Sequence, residues 1–174
     1  SAVEWEQRGG VVERGRPETL VLTRLNPKKT TKRAPGPGAM RRTDWEPFAR
    51  RRLQNKKVIL HTDWARAYRL RMPGVLHDNV VHMKKQMLVD GKWVWIKRAL
   101  DKVVEHILPD TKQKVRVQAG TQVIDRLWRN VRSFLEGRMA PVGSKMLRQR
   151  IRSAQYTYWY RGQDLWLQTG TTLK

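Results

Sequence analysis

The side chains of this chain that could do chemistry are chiefly cations. Lys28, Lys29, Lys32, Arg33, Arg41 and Arg42 fall within residues 26–42 (NPKKTTKRAPGPGAMRR), a stretch with six basic residues and no acidic one. Arg126, Arg129, Arg132, Lys145, Arg148, Arg150, Arg152 and Arg161 fall between 126 and 161, where nine basic residues meet only Glu136 as an acid. Guanidinium forks match phosphate oxygens and hold them with charge-assisted hydrogen bonds, so Arg at this density suits a phosphate backbone. Tyr156, Tyr158, Trp159 and Tyr160 lie in the second group and could stack on bases. Large aromatics chiefly fill interiors, however, and core packing is the plainer expectation for most of them.

The acids and histidines read locally as structural groups. Thr62 and Asp63 follow a short apolar run and can cap a following helix. Asp125 stands one helical turn before Arg129 and can pair with it. His77 and His82 are five apart, which aligns them neither on one helical face nor on one side of a strand, so they read as packing or hydrogen-bonding residues. The absence of Cys excludes disulfides and thiolate metal sites, and four scattered His make no zinc pattern, so no metal and no cofactor is implied.

The whole chain is built to the same bias. Its 37 Lys and Arg against 15 Asp and Glu give a net charge of +22 on 174 residues and a pI near 11.3. Self-repulsion on that scale opposes compactness, whereas a polyanion turns it into counterion release and affinity. Solubility alone asks for a net charge of only about 2 to 8. Residues 1–25 hold four Arg and four Glu, so the excess lies beyond them and one edge of the fold is expected to avoid nucleic acid. With 39% hydrophobic residues and eight Trp the chain can bury a core, and its length suggests one domain, 1–174, with a C-terminal extension at 162–174. No apolar run approaches the roughly 20 residues that span a bilayer, so no membrane partner is expected.

The elements that must position these residues follow from periodicity. Val11–Val12 and Thr19–Leu25, separated by Arg14-Gly15-Arg16-Pro17, suggest a hairpin. Residues 26–43 read as an exposed basic loop rich in Pro and Gly. Asp44 can cap a helix through about Leu53, and Lys57–Leu60 reads as a strand. Trp64–Leu70 is expected to be helical, and Val75–Val81 to contain a strand. Leu100, Val103, Val104 and Ile107 fit a helix over Lys97–Leu108 ended by Pro109. Gln122–Leu135 places Val123, Ile124, Leu127, Trp128, Val131, Phe134 and Leu135 on one apolar face, with Gly137 as a stop. Lys145–Tyr160 is a second basic helix.

The order of these motifs resembles the catalytic domain of DDE-type insertion-sequence transposases. Val58–Tyr68 (VILHTDWARAY) is similar to the family's strand followed by Thr-Asp and an aromatic residue. Gly74, His77, Val80 and His82 match its Gly-x-x-His-x-x-Val-x-His stretch. Thr121, Gln122, Val123, Ile124, Asp125, Trp128 and Arg132 resemble its Thr-Asn-x-Ile-Glu-x-x-Trp helix, with Gln122 in place of Asn and Asp125 in place of the catalytic Glu. The resemblance implies a ribonuclease H-like α/β fold, a mixed sheet with flanking helices. Asp63 and Asp125 then stand at the second and third metal-binding acids. The strand carrying the first acid would precede Ser1, and no Asp occurs before Asp44. Two-metal chemistry needs carboxylates holding cations about 3.5 to 4 Å apart. A missing bridging ligand and a third one shorter by about 1.5 Å leave Asp63 and Asp125 as vestiges, and no catalytic residue is assigned.

The expectation is therefore a transposase-derived domain that is not an enzyme and binds RNA structurally, most simply ribosomal RNA among neighbouring ribosomal proteins. A mitochondrial, matrix-side ribosome fits a Ser start left by removal of an import sequence. Two rivals follow from the same resemblance: a DDE-type transposase or nuclease acting on DNA, which an upstream strand bearing the first acid would revive, and a domesticated nuclear DNA-binding protein, which would call for a separate DNA-reading module.

Overall fold

The computed structural model describes residues 2–81, 85–96, 100–138 and 140–172. In chain order the elements are β1 (Ala2–Trp5), β2 (Arg8–Glu13), β3 (Arg16–Arg24), β4 (Lys28–Thr31), α1 (Arg42–Leu53), β5 (Val58–Thr62), a 3-10 turn (Arg66–Tyr68), β6 (Val75–Asn79), β7 (Lys85–Val89), β8 (Lys92–Ile96), β9 (Asp101–Ile107), β10 (Lys114–Gly120), α2 (Gln122–Leu135), α3 (Lys145–Trp159) and α4 (Leu165–Thr172). The fold is thus mixed α/β, with its strands in two-stranded sheets: β1 with β4, β2 with β3, β5 with β6, β7 with β8, and β9 with β10. The chain forms two compact units, residues 1–38 with 123–174, and residues 39–122. Each carries half of the charge: 18 basic against 7 acidic residues in the first, 19 against 8 in the second.

In the first unit, β2 and β3 form the expected hairpin, tightened at Gly15, whose φ of 76° lies in the left-handed region. Its inner face carries Leu20, fully buried with Leu127, Val131, Ala154 and Tyr158. Val12, Leu22, Ile124, Trp128 and Trp159 pack around them. Trp159 Nε1 donates to the Leu20 carbonyl at 2.8 Å and ties α3 to β3. A Cβ at Gly10 would stand 3.0 Å from Leu22 and 3.1 Å from Trp128, so only glycine lets the Trp128 ring lie this close to β2. Three of the four acids of the N-terminal segment are consumed internally. Glu6 is held by Arg8 at 2.7 Å, Arg24 at 3.2 Å and the Gly143 amide at 3.1 Å, and Arg16 binds both Glu13 and Glu18.

In the second unit, Trp45, Phe48, Ala49, Ala67, Leu70, Met72, Val80 and Ala119 are buried. Trp45 meets Tyr68 edge-on with centroids 4.9 Å apart and Phe48 at 5.8 Å. Strands β5 and β6 are parallel, in the register Val58↔Val75 to Thr62↔Asn79. Gly74 immediately precedes β6 with φ 71°, and a Cβ there would lie 2.7 Å from the Asn55 Cα.

Four sequence expectations give way. Residues 26–43 are not wholly loop: Lys28–Thr31 form β4, paired with β1 through Ala2↔Thr31 and Trp5↔Lys28, and Trp5 Nε1 donates to Thr30 at 2.8 Å. A partner distant in sequence supplies the hydrogen bonds that the composition alone withholds. Asp44 is not the cap of α1: Arg41 holds that position, and Asp44 lies in the first turn with its buried carboxylate gripped by the Arg41 guanidinium at 2.7 and 3.1 Å. Trp64–Leu70 is not a helix beyond the 3-10 turn, because Trp64 with a left-handed φ of 68° cannot begin one and Arg69 with ψ of 51° ends the turn. Finally, Asp101–Ile107 is a strand, paired with β10 from Lys114↔Ile107 to Gly120↔Asp101. Its apolar residues at 103, 104 and 107 are β-branched, and Pro109 sits in the turn between two strands instead of ending a helix. His82 lies outside the described residues.

Candidate nucleic-acid interface

Helix α3 sorts its side chains by face. Leu147, Ile151, Ala154 and Tyr158, four and three apart, are buried, the last two against Leu20 of β3 and Leu127 and Val131 of α2. Lys145, Arg148 and Arg152, spaced three and four, occupy the opposite face, are exposed and make no ion pair among the described residues. At about 1.5 Å rise per residue they form a row of cations stepping by about 4.5 and 6 Å. Helix α2 does the same: Leu127 and Val131 are buried, while Arg126 and Arg129 are exposed and without an ion pair among the described residues. Arg132 is also exposed but donates to the Trp128 carbonyl at 3.2 Å.

Between these helices lies an open groove of about 500 Å³ lined by Asn130, Phe134, Glu136, Arg138, Tyr158 and Arg161 among others. The Arg161 guanidinium lies over the Tyr158 ring at 4.7 Å, and that of Arg138 over Phe134 at 5.0 Å. Each ring fixes its cation by cation–π attraction while leaving N–H donors at the groove. Arg150 is spent differently, its guanidinium donating to the Arg138 carbonyl. Arg138 belongs to this arrangement although its sequence position alone did not single it out; the signal available was only its spacing, four residues after Phe134.

The other expected contacts are scattered. Lys28 and Lys29 sit on β4, with Lys32 and Arg33 exposed in the turn that follows. Arg41 is bound to Asp44, and Arg42 to Glu46 at 3.3 Å, so both are partly committed within the second unit. Tyr158 is buried and Trp159 packs against the core, while Tyr156 and Tyr160 lie 4.8 Å apart and Tyr156 bonds Thr169. These aromatics serve the fold.

Asp63 is exposed and its carboxylate accepts from the Ala65 amide at 3.0 Å, while Thr62 accepts from the Trp64 amide at 3.3 Å. Both shape the turn that carries Trp64, whose ring is capped by Arg69 at 4.6 Å. Asp125 lies exposed in the first turn of α2, in the other unit. Burial, with Asp63 adding to it, pushes the Tyr68 phenol up to about 12.

The polar centre of the second unit is instead Asp78. The parallel register sets His61 opposite it, and His61 Nδ1 lies 2.5 Å from one carboxylate oxygen while His106 Nε2 lies 2.8 Å from the other. Burial pushes the Asp78 carboxyl up, but the hydrogen bonds to both imidazoles outweigh it and hold it below the usual range. His77 bonds Thr62 at 2.8 Å, and burial holds its imidazole below the usual range against the pull of Asp78. No sequence motif flagged this trio, because its members come from β5, β6 and β9.

Among the described residues, no group of three or more His, Asp or Glu is arranged to hold a metal ion, and no helix is long and apolar enough to cross a membrane. No family model matches the chain, and neither a curated protein nor a solved structure matches it.

Proposed function

We propose that this chain is a non-catalytic RNA-binding protein that acts structurally inside a ribonucleoprotein, most simply a mitochondrial ribosome, and that its domain derives from a DDE-type transposase of ribonuclease H-like fold. One observation carries the RNA reading: the apolar faces of α2 and α3 are satisfied by the core, while their opposite faces present Arg126, Arg129, Lys145, Arg148 and Arg152 without ion-pair partners among the described residues. A cation row of that kind is costly to hold in free solution and is stabilised by phosphate. Glu6, Glu13 and Glu18 of the same unit are committed to ion pairs with Arg8, Arg24 and Arg16. Charge of both units in equal measure suits a protein set among many phosphates. The structural reading over the catalytic one rests on Asp63 shaping a turn and on Asp125 replacing the family's Glu. The test is recovery of the tagged chain from mitochondrial extract at high salt, followed by sequencing of the retained nucleic acid. Ribosomal RNA in the eluate is the expected result; DNA, or no nucleic acid, would contradict it.

A further inference from the structure

The hairpin of β7 and β8 carries the longest run of exposed apolar side chains among the described residues: Met87, Leu88, Val89, Trp93, Val94, Trp95 and Ile96. Its register is set locally. Asp90 and Gly91 have φ of 49° and 75°, the double left-handed turn whose twist matches that of paired strands, and Val89↔Lys92, Leu88↔Trp93, Met87↔Val94 and Gln86↔Trp95 follow from it. An exposed apolar ribbon of this kind marks a binding surface. Alternation along β8 puts Trp93 and Trp95 on one face, 68% and 61% exposed, and neither indole meets another ring or a cation among the described residues.

Two features say what covers that face. Residues two apart on a strand are separated by about 6.6 to 6.8 Å, close to twice the stacking repeat of about 3.4 Å between successive bases. Two indoles standing off the sheet at that pitch leave room for one flat ring between them. The surrounding sequence is cationic, with Lys84, Lys85, Lys92, Lys97 and Arg98 against Asp90 alone in residues 84–98. An apolar protein groove has no use for that charge; a base flanked by phosphates does. We propose that Trp93 and Trp95 clamp one unpaired nucleobase of the RNA.

The proposal rests on the RNA reading and adds to it a single-stranded element read by stacking. Binding of the whole chain to a labelled, unstructured oligouridine is compared with binding to an oligomer of equal length that has the same sugar-phosphate backbone and no bases. Stacking on aromatic residues contributes enough per base to predict a preference of about 5- to 150-fold for the oligomer with bases. Trp93→Ala with Trp95→Ala should abolish that preference without changing the salt dependence, since no charge is removed, and Trp93→Phe with Trp95→Phe should keep most of it. Equal affinity of the parent chain for the two oligomers overturns the clamp while leaving phosphate binding intact. Failure to bind either one at low salt overturns the RNA reading itself. An alanine variant that keeps the preference for bases but no longer joins the particle assigns the hairpin to a protein neighbour and overturns the clamp.

Discussion

Replacing Lys145, Arg148 and Arg152 by Gln removes three charges from one face of α3 and leaves its buried face untouched, so the fold is expected to hold with a stability change within about 0.5 kcal/mol. Each phosphate neutralised contributes about 0.7 to 0.9 to the fall of log K with log salt. Three lost contacts therefore flatten the slope by about 2.1 to 2.7. Between 50 and 200 mM salt, a fourfold range, the parent's affinity should fall about 20- to 40-fold more than that of the triple variant. Fluorescence anisotropy with one labelled RNA across a salt series reads this directly. Loss should also be uniform across RNA sequences, because phosphate contacts position a protein without reading bases. A variant with the parent's slope would place the bound phosphates elsewhere, and a change in sequence preference would argue for base readout by α3.

Further predictions address the rest of the molecule. The chain should show no divalent-metal-dependent cleavage or strand transfer, so that Asp63→Asn alters no nuclease assay; Mn²⁺-dependent nicking lost in that variant would restore the enzyme reading. Asp78→Ala leaves two partly buried imidazoles without their shared acceptor and should destabilise the second unit by about 1 to 3 kcal/mol, measured as a lower urea midpoint. Acid should act in two stages with one sign. His77, depressed by burial, contributes stability above the unfolded value of about 6.5 that is lost as pH falls through its folded value. Asp78, depressed by its imidazoles, contributes stability above about 3.9 that is lost on further acidification. Urea midpoints that rise between pH 7 and 3 would contradict both. Gly74→Ala forces a Cβ onto Asn55 and a left-handed φ on alanine, and should cost more than about 1 kcal/mol in the same measurement.

What sequence could give depended on how local the cause was. Helices α2 and α3 were legible because fourteen and fifteen residues of 3.6-residue periodicity are long enough to outweigh other patterns, and Gly137 marks the end of the first. Their cationic faces were legible for the same reason. The β2–β3 hairpin declared itself through its turn. Strand β4 did not, since its partner β1 lies more than twenty residues upstream in a stretch with no hint of pairing. Strand β9 misled because Leu100, Val103, Val104 and Ile107 satisfy helical spacing while the β-branching of the last three favours extended backbone, and only β10 decides between them. The Asp78 centre was hidden because three strands must assemble before His61 and His106 reach one carboxylate. Tyr156, Tyr158, Trp159 and Tyr160 drew attention as stacking groups by their number, but Tyr158 and Trp159 turn to the core and Tyr156 meets Tyr160, while Trp93 and Trp95, which drew none, are exposed side by side on one strand.

The central claim is permanent residence in a particle, and sedimentation tests it most directly. In a gradient of mitochondrial extract at physiological salt the chain should travel with a ribosomal subunit, and after ribonuclease treatment it should move to the top. Sedimentation with chromatin, or a slow-sedimenting chain that ribonuclease does not shift, would contradict the account.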